Sequence, residues 1–277
     1  MTESMPDLNK MKSFPKRVMA KAVTYLVPLR LQPWWYIANL AACKTRSTVQ
    51  AGPFRGMRHI GRSHLSALTP KLLGIYEREL HGFIEEAIAF PFQTVLDIGA
   101  AEGYYAVGLA TRMSEARVIA FEMDPSAREL LMRMVELNGV GSRVAIKELC
   151  TSRDLAAILK TSGMTLVICD AEGGEAILLD PIRVPELEAC YILVELHDFV
   201  IGGVSQEIRD RFTMTHSITQ ICQQQRDPSE FPYRTLYTRI IPGSLELGVS
   251  EFRPAKMAWY WMRPRKAGTH QGVPDEN

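Results

Sequence analysis

The chain has 277 residues, 47% of them hydrophobic and 23% charged. That is enough to bury a full core, either as one large domain with additions or as a domain with a small subdomain. A net charge of +1 gives no electrostatic case for nucleic acid or another acidic polymer as a partner. No stretch approaches the ~20 apolar residues of a membrane span. Of the five cysteines, Cys169 and Cys190 lie in apolar runs and Cys222 in a further strand-like run, with no C-x-x-C pair. They read as free thiols of a reducing, cytoplasmic compartment.

In chain order, Lys10, Lys12, Lys16, Arg17, Lys21 and Arg30 come first, with no acid among them, around Val18, Met19, Val23, Leu26 and Val27. Lys21 and Pro28 interrupt the apolar centre that a signal peptide requires. The segment reads as a cap packed on the rest of the chain, with Trp34, Trp35 and Tyr36 as packing residues. The alternative is a basic amphipathic helix making peripheral membrane contact. Residues 1–75 are expected to form this partly helical extension, 76–265 the main domain and 266–277 a disordered tail.

Thr69-Pro70 has the form of a helix start, and Tyr76 to Ala89 continues with apolar residues at helical intervals. Strands are predicted at Thr94–Ile98, Arg117–Phe121, Arg143–Lys147, Thr165–Asp170 and Cys190–Leu196. Helices are predicted from Tyr104, over Pro125–Leu137 and over Arg153–Lys160. Ser217–Gln223 and Lys256–Met262 read as later strands, separated by a Pro-rich stretch. Alternating β and α with near-continuous apolar strands predicts an α/β fold, a parallel sheet covered on both faces.

The most informative run is TVLDIGAAEGYYAVGLA, Thr94 to Ala110. It is a strand, a turn bracketed by Gly99 and Gly103, and a helix start whose N-terminus suits an electron-rich ligand. Asp97, Gly99, Ala100, Ala101, Gly103 and Tyr104 are therefore candidate cofactor residues. Glu122, just past the next strand, stands where an acid binds ribose hydroxyls, with Met123 beside it. A dinucleotide fingerprint places a glycine where this chain has Ala101, so a cofactor without a pyrophosphate is expected. S-adenosylmethionine is the leading candidate. Asp97 is expected near its amino group and Glu148 to Cys150 near its adenine, while Tyr76 and Glu77 are expected to close the pocket from the N-terminal side.

Ligands of open α/β sheets bind beyond the carboxyl ends of the strands. There, one strand exits into Asp170-Ala171-Glu172-Gly173-Gly174-Glu175 and another into Glu195-Leu196-His197-Asp198. Acids held this close must be solvated, hydrogen-bonded or used. Glu175 reads equally well as a solvent-facing helix residue. His197 has the ordinary pKa best suited to a general base, with Asp198 or Glu195 to orient it and Asp170 as the runner-up base. Glu172 is placed to position an acceptor or hold the loop.

VLDIGAAEGYYAVGLA, the Asn138-Gly139-Val140 turn, ICDAEGGE at Ile168 to Glu175 and LVELHD at Leu193 to Asp198 together resemble FkbM-type methyltransferases of the class I S-adenosylmethionine-dependent group. The resemblance covers about residues 75 to 223. Ile168 stands one place before Cys169-Asp170 in a run where the family commonly has a lysine. The resemblance implies a Rossmann-like, seven-stranded, mostly parallel sheet with an antiparallel last strand, here Lys256–Met262. It also implies O-methylation of a hydroxyl on a sugar or small secondary metabolite. A divalent metal is not expected. If one were used, Asp170 and Asp198 would be its ligands, as in magnesium-dependent catechol-type O-methyltransferases. A non-catalytic binding module and a nicotinamide oxidoreductase are the other classes left open.

Overall fold

The computed structural model describes residues 32–64 and 66–265. The basic run from Lys10 to Arg30 and the tail from residue 266, read above as cap and disordered segment, lie outside the described residues. The seven strands are β1 (Thr94–Ile98), β2 (Arg117–Phe121), β3 (Val144–Lys147), β4 (Thr165–Cys169), β5 (Tyr191–Leu196), β6 (His216–Cys222) and β7 (Ala258–Pro264). They form one sheet in the order β3-β2-β1-β4-β5-β7-β6. β7 runs antiparallel to both neighbours and the other pairings are parallel. The expected Rossmann-like sheet with an antiparallel last strand is thus observed.

Ten helices, numbered from the first described residue, surround the sheet. They are α1 (Pro33–Thr45), α2 (Leu68–Leu73), α3 (His81–Ala89), α4 (Tyr104–Arg112), α5 (Pro125–Leu137), α6 (Ser152–Leu159), α7 (Glu175–Leu178), α8 (Val204–Phe212), α9 (Leu236–Ile240) and α10 (Ser244–Val249). Every residue of β1 and β4 is buried, as strands covered on both faces must be. One core layer gathers Val95, Leu109, Leu131 and Trp261, and the opposite layer gathers Leu96, Val167, Val194 and Phe212. The strand order reverses between β1 and β4, which opens a crevice at their carboxyl ends.

The helix predicted over Tyr76 to Ala89 is broken. α2 stops at Gly74, which adopts φ 73°. Glu77 takes φ 47°, and regular helix resumes only at His81. Tyr76 and Glu77 therefore lie in a turn, and Thr69 lies inside α2 instead of capping it. The turn is held from outside, since Glu251 accepts from the Glu77 backbone N–H at 3.0 Å.

Two stretches with no assignable motif, the N-terminal region and the segment between β6 and β7, pack on each other. Ile37 and Ala41 of α1 and Leu72 and Leu73 of α2 share a separate core with Phe231 and with Val249 of α10. Tyr36 stacks on Tyr237 with ring centroids 4.0 Å apart. This cap sits on the carboxyl edge, because β6 runs parallel to β5 and the intervening chain leaves from its end.

A buried ion pair pins the cap's first part to the glycine turn. Lys71 and Glu102, 3% and 0% exposed, are in direct contact. Ser63 Oγ donates to Glu102 at 2.9 Å and the His64 N–H at 3.1 Å. Burial alone would raise the Glu102 carboxyl, but the charges of Lys71 and His59 reverse this and hold it well below the usual range. Lys71→Met strands the carboxylate and should cost about 3–5 kcal/mol in urea unfolding, whereas Lys71→Met combined with Glu102→Leu should recover most of that loss.

Candidate active site

The glycine turn is shaped first by chain packing. Gly99 has φ 85°, and a Cβ there would lie 1.8 Å from the Asp170 carbonyl oxygen. Gly103 has φ 93°, and a Cβ there would lie 2.3 Å from Leu131 Cδ1 of α5. Packing by itself requires both glycines: one lets β1's turn touch β4's turn, and the other lets α4 start against α5. Ala101 also takes a positive φ of 47°. The Gly99 and Ala100 N–H groups both donate to the Phe121 carbonyl at 2.9 Å.

Glu122 ties the end of β2 to this turn. Its Oε2 accepts from the Ala101 N–H at 2.7 Å and its Oε1 from the Asp124 N–H at 2.8 Å, which leaves each oxygen a further lone pair. Beyond β2 and β3, Met123 and Leu149 stand 66% and 56% exposed, two apolar side chains at the ends of adjacent strands. Cys150 is buried in the core layer beside Ile119 and Leu155, and burial pushes its thiol up to about 12.

Asp97 is 3% exposed, and its Oδ2 has no hydrogen-bond partner. Burial, with the charges of Asp170 and Glu122 adding to it, pushes its carboxyl up to about 7. Tyr76 packs edge-on against Tyr104, the first residue of α4, with centroids 5.4 Å apart, so it stands next to the turn. Glu77 is 2% exposed and contacts both Tyr105 and Arg253.

On the other side of the switch point, four carboxylates surround His197. Its Nδ1 lies 2.7 Å from Glu175 Oε1. Its Nε2 faces Glu172 at 3.5 Å, Asp170 at 3.6 Å and Glu195 at 3.9 Å. Asp170 Oδ1 is buried without a hydrogen-bond partner. Burial raises the Asp170 carboxyl, and the charge of Glu172 raises it further against the opposing pull of His197. Burial would lower the His197 imidazole, but the Glu175 hydrogen bond and the charges of Asp170, Glu175 and Glu172 outweigh it, so the net shift is upward.

Two expectations change here. Glu175 is fully buried, not solvent-facing, and also accepts from the Ala171 and Gly173 N–H groups at 3.0 Å and 3.1 Å. It, and not Asp198, orients His197. Asp198 accepts from the Ser205 N–H and hydroxyl at 3.1 Å and 3.0 Å, serving the start of α8. Glu195 is bound by Arg253 at 2.6 Å and by Trp259 Nε1 at 3.2 Å. Arg253 is the main functional candidate that the sequence did not offer: it comes from the cap yet reaches Glu195, Glu77 and the Tyr76 hydroxyl. No motif marks it.

The strand order, with β7 antiparallel between β5 and β6, is that of a Rossmann-like class I methyltransferase fold. No family model matches the chain. Over 69 residues it is 38% identical to the release factor glutamine methyltransferase of Cereibacter sphaeroides, a match spanning 25% of each protein. The chain thus covers only a quarter of that relative's length. Among solved structures, it is similar to the O-methyltransferase TomG of Streptomyces achromogenes, solved with S-adenosylmethionine (14% identity, TM-score 0.45, 89% of this chain and 96% of that one). It is also similar to a Bacillus cereus O-methyltransferase solved with S-adenosylhomocysteine (12%, 0.44, 89% and 97%) and to the precorrin-6Y C5,15-methyltransferase of Geobacter metallireducens (10%, 0.45, 70% and 88%). At these identities and scores the likenesses add nothing to what the strand order establishes.

Because the Gly99 contact is backbone to backbone, the turn has no cheap way to yield. Gly99→Ala should cost about 3 kcal/mol or more from overpacking and left-handed strain combined. Urea denaturation would measure it, and a cost under about 1 kcal/mol would remove this account of the turn.

Proposed function

We propose that the chain is an S-adenosylmethionine-dependent methyltransferase of the FkbM type, acting in the cytoplasm on a hydroxyl of a small molecule. The observation that carries this reading is an excess of carboxylate at the carboxyl edge. Asp97 and Asp170 each keep a buried oxygen without a partner, and burial raises both carboxyls. A ligand bearing an ammonium and a sulfonium provides the positive charge that such carboxylates lack. A nicotinamide dinucleotide brings negative phosphates and fits this edge poorly.

In this reading Asp97 and the turn from Gly99 to Gly103, with Tyr104 behind it, hold the methionine end. Glu122 takes the ribose, and Met123 and Leu149 flank the adenine, with Cys150 behind them in the core. Tyr76 and Glu77 border the methionine end from the cap side, and Asp170 joins the two halves. When bound, S-adenosylmethionine supplies a methyl group on a sulfonium leaving group, so the chain has mainly to align the acceptor.

His197 handles the acceptor's proton. Glu175 fixes the ring through Nδ1, which leaves Nε2 directed toward Asp170 and Glu172. The pair of His197 and Asp170 must lose a proton before Nε2 can accept one, and the carboxylates around His197 delay that loss. Glu172, 70% exposed, borders the acceptor. The reading needs no divalent metal. Asp170, Glu175 and His197 are close enough together to hold an ion; in this reading Glu175 instead accepts from the Ala171 and Gly173 N–H groups and from His197. Residues 32–75 and the β6–β7 segment are the acceptor-side cap. Among the described residues, no helix is long and apolar enough to cross a membrane.

Three measurements test this reading. Glu122→Ala, folded as judged by circular dichroism, should bind S-adenosylmethionine at least tenfold more weakly, and an unchanged affinity would overturn the ribose assignment. His197→Ala should lower turnover by about 10² to 10⁴ with cofactor affinity retained, while EDTA leaves the parent active. The third is the pH profile. Because the His197 pKa is raised, the imidazolium persists above its ordinary range, so the parent's rate should climb as pH rises through that raised value. Glu175→Gln removes one of the raising interactions and should move the ascending limb to lower pH. A limb unmoved in Glu175→Gln would assign the titration to another group.

A further inference from the structure

The chain that follows His197 is apolar and exposed. Phe199, Val200 and Ile201 are 46%, 51% and 48% exposed, three consecutive large hydrophobic side chains that belong to none of the three buried cores. They do not trail into solvent. The Val200 and Ile201 N–H groups both donate to the His197 carbonyl, at 2.9 Å and 3.1 Å, so the segment is a tight hook built on the candidate base itself. The Phe199 ring lies 5.6 Å from the His197 ring, centroid to centroid.

The hook also closes on the neighbouring strand end. A Cβ on Gly173 would lie 3.2 Å from Val200 Cγ1 and 3.4 Å from Ile201 Cδ1. Gly173, at φ 106°, follows Glu172, whose carboxylate faces His197 Nε2 at 3.5 Å. An apolar rim therefore spans the β4 and β5 ends, directly beside the polar point formed by Asp170, Glu172 and His197. Large apolar side chains held in water beside a cleft mark a place where an apolar surface is to be received.

We infer that the acceptor carries its hydroxyl on an apolar skeleton, an aryl or alkyl alcohol and not a free saccharide, with Phe199, Val200 and Ile201 receiving that skeleton while the hydroxyl meets His197. This rests on the methyl-transfer reading and narrows it. A saccharide presents hydroxyls in nearly every direction and would leave the three side chains facing polar groups. An apolar skeleton with one hydroxyl matches both halves of the rim.

The test is a calorimetric titration of the full chain, saturated with S-adenosylhomocysteine, with para-cresol, para-propylphenol, para-pentylphenol and methyl glucoside. The expected result is a Kd that falls roughly fourfold for each added methylene, with methyl glucoside weakest. In the triple variant Phe199→Ser, Val200→Ser, Ile201→Ser the dependence on chain length should vanish while S-adenosylhomocysteine binds as in the parent. No phenol binding, phenol binding without a length dependence, glucoside binding as tight as para-pentylphenol, or a slope that survives in the triple variant would each overturn the inference. Self-association or binding to phosphatidylglycerol vesicles that the triple variant abolishes, with the phenol slope unchanged, would reassign the hook to a second copy or to a membrane. Failure of the parent to bind S-adenosylhomocysteine would instead remove the methyltransferase reading, so the two failures are distinguishable.

Discussion

The contact between Gly99 and the Asp170 carbonyl is the constraint on which the site depends. At the switch point of an α/β sheet the two central strands diverge in their connections, and their carboxyl ends need not touch. Here they do. A Cβ at Gly99 would sit 1.8 Å from the Asp170 oxygen, and the Asp170 N–H donates to the Ile98 carbonyl at 2.8 Å. The turn after β1 and the turn after β4 are therefore one rigid unit. Asp97 and Glu122 on one side and Asp170 and His197 on the other cannot drift apart independently, which in-line transfer between two bound molecules requires.

Charge shapes the rest of the edge. Glu77, Glu195 and Glu251 gather around one guanidinium, Arg253, and Arg226 bridges Glu79 and Glu251 at 2.5 Å and 2.7 Å. Arg253 to Glu195 joins the cap to the sheet, the other bonds tie the cap to itself and to the turn before α3, and all bury charge that would be costly unpaired. At Asp97 and Asp170 the nearby cations, Lys71 for the first and His197 and Arg253 for the second, do not offset burial, and both carboxyls are raised. Burial raises Glu195 too, despite Arg253. Asp97 and Asp170 each keep a buried oxygen without a hydrogen-bond partner, and so does Glu251 beside Arg253.

Much of this was legible in the sequence because strands covered on both faces leave an uninterrupted apolar signature. β1, β2, β4 and β5 were readable to within a residue or two, and their ends named Asp97, Glu122, Asp170 and His197. Three things were not legible, each for a physical reason. The break at Gly74 to Glu77 depends on Glu251, 174 positions further along the chain, and local helical periodicity cannot register such a contact. Glu175 has the pattern of an exposed first-turn acid, and only the fold of the Gly173 loop turns it inward onto His197. Asp198 sits next to His197 in sequence but exits the strand the other way, to cap α8. β5 ends at Leu196 and a turn begins at Asp198, so proximity in sequence was the wrong guide.

The cap shows why the two motif-free regions belong together. Neither α1 with α2 nor the short helices between β6 and β7 could bury an apolar face alone, since helices of six residues or fewer such as α2, α9 and α10 are unstable without tertiary partners. Packed through Ile37, Leu72, Phe231 and Val249 they share one small core. That core is tied to the sheet by polar anchors, Lys71 on Glu102 and Arg253 on Glu195 and Glu77. An apolar centre with ionic attachments gives a cap that is internally firm and joined to the catalytic edge at a few points. Its attachment thus rests on a few ionic pairs scattered along the chain, which form no contiguous motif, whereas the strand ends beneath it carry their polar residues in short runs.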